Sequence, residues 1–107
     1  MAKFIRFPVI NMPATGRSIE LHRRAAHLSV KDIQTYFGFE YPQAVYKWQR
    51  GECLPSVDNL LALARLLKVS MEDLLVYEDQ EVPLIFGVYL AVQNSARLFF
   101  YGLMPFI

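Results

Sequence analysis

Across its 107 residues the chain has one cysteine, Cys53, and two histidines, His22 and His27. A single cysteine excludes an internal disulfide and fits a reducing compartment. These three residues stand at spacings that suit no tetrahedral zinc site. The five glycines form neither a phosphate-cradling loop nor a serine elbow, and the acidic cluster at Glu78–Glu81 reads as a solvated linker. The expectation is a non-enzyme that needs no metal and no cofactor. No apolar run reaches the roughly 20 residues that cross a bilayer. The N-terminus lacks the apolar core followed by small residues that a secretory cleavage requires. Both absences point to the cytoplasm, with no membrane span and no evident small-molecule substrate.

Charge is scarce in sum but unevenly placed. The formal net charge is +1, yet residues 16–51 hold six cations (Arg17, Arg23, Arg24, Lys31, Lys47, Arg50) against three anions, whereas residues 52–107 hold three cations against seven anions. A positive field over the first half has the sign that attraction to phosphate requires.

The stretch Leu28–Gly51 reads as two short helices around a tight turn. Ser29 and Asp32 form a Ser-x-x-Asp capping pair. Val30, Ile33 and Phe37 follow at helical spacing, and Gly38 ends the run, where a left-handed backbone suits glycine. The second helix is expected to begin at Pro42, a residue tolerated at a first helical position, and to close at Gly51. Val45 and Trp48 face inward with small Ala44 beside them. Gln43, Tyr46, Lys47 and Arg50 fall at i, i+3, i+4 and i+7, so one face carries an amide, a phenol and two cations. Glutamine pairs bidentately with adenine and lysine reaches guanine acceptors, in a major groove wide enough for one helix.

The run Leu-Ser-x(3)-Ile-x(3)-Phe-Gly, then Ala-Val-Tyr-Lys-Trp-Gln-Arg-Gly, then Leu54-Pro55-Ser56, Leu60 to Leu67 and Val69-Ser70-x(2)-Asp73-Leu74-Leu75, resembles the Xre/Cro family of lambda-repressor-like DNA-binding domains. The likeness covers roughly Ala14 to Val76. It implies a five-helix domain that binds duplex DNA, usually as a dimer, and regulates transcription. It puts base contacts at Gln43 and Lys47, with Ala44 and Tyr46 adjacent, and phosphate contacts at Ser29, Lys31 and Arg50. Three positions depart from the pattern. Val30 stands where a glutamine is usual, the turn Gly38-Phe39-Glu40-Tyr41 is one residue longer, and Gln49 replaces a common glutamate, removing an ion pair with the first helix.

The remaining segments complete the expectation. Phe4 to Ile10 contains β-formers and reads as a short strand up to Pro8, suited to a sheet edge. A helix is expected from Pro13, capped by Thr15, with Ile19, His22 and Ala26 inward. His22 reads as a partly buried histidine bonded to backbone, and His27 takes the place of a helix-ending glycine. Arg17, Arg23 and Arg24 are candidate DNA-backbone contacts, weighed against the solvated cations common on helices. Tyr41 and Tyr46 can bond phosphate or simply pack. Ser56 starts a fourth helix whose expected core stripe is Val57, Leu60, Leu61, Ala64 and Leu67. Ser70 and Asp73 cap a short fifth helix bearing Met71, Leu74 and Leu75.

Beyond Tyr77 come two largely apolar runs, 82–92 and 98–107. They suit two strands joined by a turn at Gln93–Ala96. A five-helix core has little surface left to cover them, so the expectation is a layer that pairs with a second subunit, against the alternative of a tail folded back within one chain. The fold expected is all-α: a five-helix lambda-repressor-like core at 13–77 with small β-like, apolar appendages at 1–12 and 78–107. The function expected is sequence-specific duplex binding as a homodimer, repressing transcription. The competing reading is an antitoxin-like or membrane-recruited adaptor that works through the apolar tail.

Overall fold

The computed structural model describes residues 3–83. The described residues fall into two units, one of Ile10–Tyr77 and one holding residues 3–9 together with 78–83. The first holds five helices: α1 (Met12–Ala25), α2 (Val30–Phe37), α3 (Gln43–Arg50), α4 (Val57–Leu67) and α5 (Met71–Leu74).

Helix α1 starts one residue before the expected proline. Its cap is Asn11, whose Oδ1 accepts the Ala14 N–H at 3.0 Å, so Pro13 falls in the first turn, where a missing amide costs nothing. Thr15 is therefore not the cap. It is fully buried, and its Oγ1 accepts the Val76 N–H at 2.9 Å, while Asn11 N–H reaches the Val76 carbonyl at 2.8 Å. The start of α1 is thus clamped to the segment after α5, 61 residues away. At the other end His27 is left-handed (φ 59°), the conformation expected of a residue standing in for glycine. His22 is half-buried, and its Nδ1 lies 2.8 Å from the Ser18 carbonyl. A carbonyl only accepts, so that nitrogen carries the proton.

Every helix sends at least one wholly buried aliphatic side chain to a common core: Ile19, Ile33, Val45, Leu63 and Leu74, with Trp48, Leu60, Ala64 and Leu67 around them. Each large side chain so buried contributes about 1.5–3 kcal/mol. The expected stripe on α4 is partly misplaced. Leu63 is buried, while Val57 (76% exposed) and Leu61 (44%) face solvent. The segment VDNLLALARLL is apolar on more than one face, and periodicity alone does not set which phase turns inward. Ser56 occupies the N-cap of α4 as expected, but its hydroxyl makes no capping bond and donates to Asp58 instead. Helix α5 begins with a reciprocal Ser70–Asp73 capping box.

The expectation of an all-α fold is corrected by two strands, β1 (Phe4–Ile10) and β2 (Tyr77–Pro83), paired in an antiparallel sheet. The described residues are 56% helix and 17% strand, a mixed architecture. Strand β1 runs through Pro8 instead of stopping there; among the described residues it has a single neighbour, a setting that tolerates a residue without an N–H. The larger surprise is β2, where Glu78–Glu81 is strand rather than linker. Its polar run lacks the period-two alternation that marks a half-buried strand, so the pairing with β1 decides it, helped by an exposed Arg6–Asp79 contact at 3.8 Å. Of the two apolar runs, Val82 and Pro83 end β2. The expected strand pair with its turn at 93–96, and its role in a dimer, lie outside the described residues. No helix among the described residues is long and apolar enough to cross a membrane.

Candidate nucleic-acid interface

Helix α2 carries its own boundaries. Ser29 Oγ accepts the Asp32 N–H at 3.0 Å and the Asp32 carboxylate accepts the Ser29 N–H at 2.8 Å, a reciprocal box. These bonds, first from the Ser29 backbone and then from its hydroxyl, hold the Asp32 carboxyl below the usual aspartate range. The Ser29 hydroxyl accepts the Asp32 N–H and also bonds the Asp32 carboxylate. Lys31 beside it is exposed. Gly38 ends the helix with φ 72°.

The long turn is held from inside. Gln34, buried near the end of α2, donates through Nε2 to the carbonyls of Phe39 (3.2 Å) and Glu40 (3.1 Å). Phe39 stacks on Phe37 at 5.2 Å between ring centres, and both rings meet Trp48 edge-on, at 5.9 and 5.6 Å. The turn therefore grips α3 by its tryptophan, and edge-to-face pairs of this kind add about 0.5–1.5 kcal/mol beyond area burial.

Helix α3 has no side-chain cap at its start, where Pro42 is the N-cap residue and the helix proper begins at Gln43, one residue later than expected. Its far end is pressed against α1. A Cβ on Gly16 would lie 2.4 Å from the Gln49 carbonyl oxygen and 2.7 Å from that of Trp48, and one on Gly51 (φ 74°) would lie 2.7 Å from the Met12 carbonyl oxygen. Val45 and Trp48 are buried and Ala44 packs beside them. That anchoring leaves Gln43, Tyr46, Lys47 and Arg50 exposed together on the opposite face, with Tyr41 exposed just before them.

The cations divide by partner. Arg24 is engaged by Glu20 at 2.7 Å, and Arg50 pairs with Glu52, which raises the guanidinium further and lowers the Glu52 carboxyl. The Arg50–Glu52 pair is exposed and worth little in water. Arg17, Lys31 and Lys47 are exposed with no ion pair among the described residues. Arg23 is not a surface contact: it is buried. Its Nε donates to Gln49 Oε1 at 2.8 Å and its NH1 to the Leu28 carbonyl at 2.8 Å. The expected loss of an ion pair between the first helix and Gln49 is thus made good by a hydrogen bond from the charged guanidinium to a neutral amide oxygen. One guanidinium spans the start of α2 and the end of α3, which sets Ser29 and Arg50 on neighbouring ground.

Three contributors were not visible as such in the sequence. Gly16 is an ordinary helical glycine until α3 is seen against it, and Gln34 and Phe39 act only through the turn they close. Among the described residues no group of three His, Cys, Asp or Glu could hold a metal ion.

Comparison with known proteins gives the fold a counterpart. The chain is similar to the crystal structure of the DNA-binding domain of BldD (TM-score 0.53, 23% identity, covering 61% of this chain and 93% of that one). It is similar also to the S. venezulae BldD DNA-binding domain (TM-score 0.52, 21% identity, 61% and 96%). The helical part thus has the fold of a helix-turn-helix type DNA-binding domain. No protein-family model and no curated protein matches the chain.

Proposed function

We propose that this chain is a transcription regulator of the Xre/Cro type that binds duplex DNA in a sequence-specific way, by laying α3 in the major groove. The observation that carries the reading is the division of α3 into two faces: Val45 and Trp48 buried, Gln43, Tyr46, Lys47 and Arg50 presented together in solvent. Gln43 and Lys47, with Ala44 and Tyr46 beside them, meet base edges. Ser29, Lys31, Arg50, Arg17 and Tyr41 meet phosphates and fix register. The weak Arg50–Glu52 pair gives way to a phosphate at little cost. Two copies reading related half-sites about 34 Å apart form the binding unit, and the complex represses by covering a promoter. No catalytic step belongs to this reading. The fold shared with the BldD DNA-binding domain supports it.

Selection of bound sequences from a random duplex pool tests it directly, since an enriched motif is expected and an unenriched pool would sink the proposal. Within a selected site, Gln43→Ala is expected to remove about 1–3 kcal/mol of discrimination at one base pair. Arg50→Ala is expected to weaken all sequences alike and reduce the salt slope by about one. If both variants behave identically on selected and scrambled duplexes, the division into base and phosphate contacts is wrong.

A further inference from the structure

Arg23 is 8% exposed, and both its hydrogen-bond acceptors are uncharged: Gln49 Oε1 and the Leu28 carbonyl, each at 2.8 Å. Among the described residues no carboxylate pairs with it, the ion pairs there being those of Arg6, Arg24 and Arg50. Buried cations ordinarily have a counter-charge, because low dielectric makes an unpaired one costly. A glutamate at position 49 would have nearly the same shape as Gln49 and would supply that charge. The uncompensated guanidinium also lies at a particular place. Leu28 immediately precedes Ser29 and Gln49 immediately precedes Arg50, so the charge stands behind the two segments assigned to phosphate.

We propose that Gln49 keeps Arg23 uncompensated so that a DNA phosphate, lying across the start of α2 and the end of α3, serves as its counterion. Arg23 is then a positioning residue: it joins the two helix ends and supplies from beneath a charge that no carboxylate among the described residues cancels. The free protein is less stable than it could be, and binding recovers the difference. This inference rests on the duplex-binding reading above.

The test uses the full chain, a random-sequence duplex and thermal melting, with binding followed over a range of salt. Gln49→Glu is expected to raise the melting temperature by about 4 °C or more. It should also weaken duplex binding about fivefold or more at low salt and reduce the salt slope by up to about one. Gln80→Glu, an equal change of net charge on exposed β2, is expected to leave binding within about twofold. Wild-type protein that binds no duplex at low salt would overturn the duplex-binding reading and take the inference with it. Wild-type binding matched by Gln49→Glu would overturn the inference alone. So would a Gln49→Glu protein that melts lower than wild type, because Arg23 would then not lack a charge. Equal weakening by Gln80→Glu would also overturn it, by reducing the effect to net charge.

Discussion

The two helices of the motif are the same length, eight residues each, and both end on a left-handed glycine, but they are secured differently at their starts and along their length. Helix α2 is closed by its own neighbours, with a capping box at one end and left-handed Gly38 at the other. Helix α3 has no side-chain cap at its start and is held from outside, by Gly16 of α1 against its backbone, by two phenylalanine rings on Trp48 and by Arg23 on Gln49. A helix proposed to read base edges must leave its outer face open to solvent, so its fixation has to come from behind. The lesson is that local signals secure the helix that supports, while long-range packing secures the helix that presents.

The sharpest way to break this contrast is Gly16→Ala. The new methyl would sit 2.4 Å from the Gln49 carbonyl oxygen and 2.7 Å from that of Trp48, both backbone atoms, so neither can swing away. Overpacking of this kind outweighs the gain in helix propensity from losing a glycine, and a net loss of about 2–3 kcal/mol is expected in denaturant unfolding. Alanine at 16 with unchanged stability would mean that α1 and α3 are not in backbone contact. Next in size is Phe39→Ala. It removes the ring that stacks on Phe37 and meets Trp48, with an expected loss of about 2 kcal/mol and a change in the emission of Trp48, the one tryptophan in the chain.

How much of this could be read in advance follows the same divide. Ser29, Asp32 and Gly38 announce α2 because their partners lie within a few residues, and the polar face of α3 is legible because helical spacing alone places Gln43, Tyr46, Lys47 and Arg50 together. Thr15 misleads because its true partner is Val76, far along the chain, and a hydroxyl near a helix start looks like a cap. Arg23 looks like one more surface cation until Gln49 and the Leu28 carbonyl enclose it. The misplaced α4 stripe and the acidic strand β2 fail for a related reason. In the first, two phases of the same period are apolar; in the second there is no period, and strand partnership with β1 does the deciding.

Ser29→Ala probes the self-contained helix and is expected to be milder, costing about 1 kcal/mol. The Asp32 half of the box can still accept the residue 29 N–H. Because the loss is local, the emission of Trp48 should stay at its wild-type position, in contrast to Phe39→Ala. A shift as large as that of the phenylalanine variant would show that the two helices are not independently secured.

The smallest effect is also the most specific, since it depends on pH. The folded-state pKa of Asp32 is depressed below its ordinary value of 3.8 by bonds from Ser29, so the unfolded chain takes up its proton first as pH falls. The contribution of the box to stability is therefore fully present above that unfolded value and drains away as pH drops through the depressed one. Asp32→Asn should melt below wild type at neutral pH, with the gap narrowing in strong acid, where the wild-type carboxyl is itself protonated. Asp73, whose carboxyl is lowered by the matching Ser70 box, adds a similar slope to both proteins and cancels in their difference. A gap that stays constant from neutral to acid would mean that the carboxylate charge has no part in holding the start of α2, and that the local half of the contrast rests on Ser29 alone.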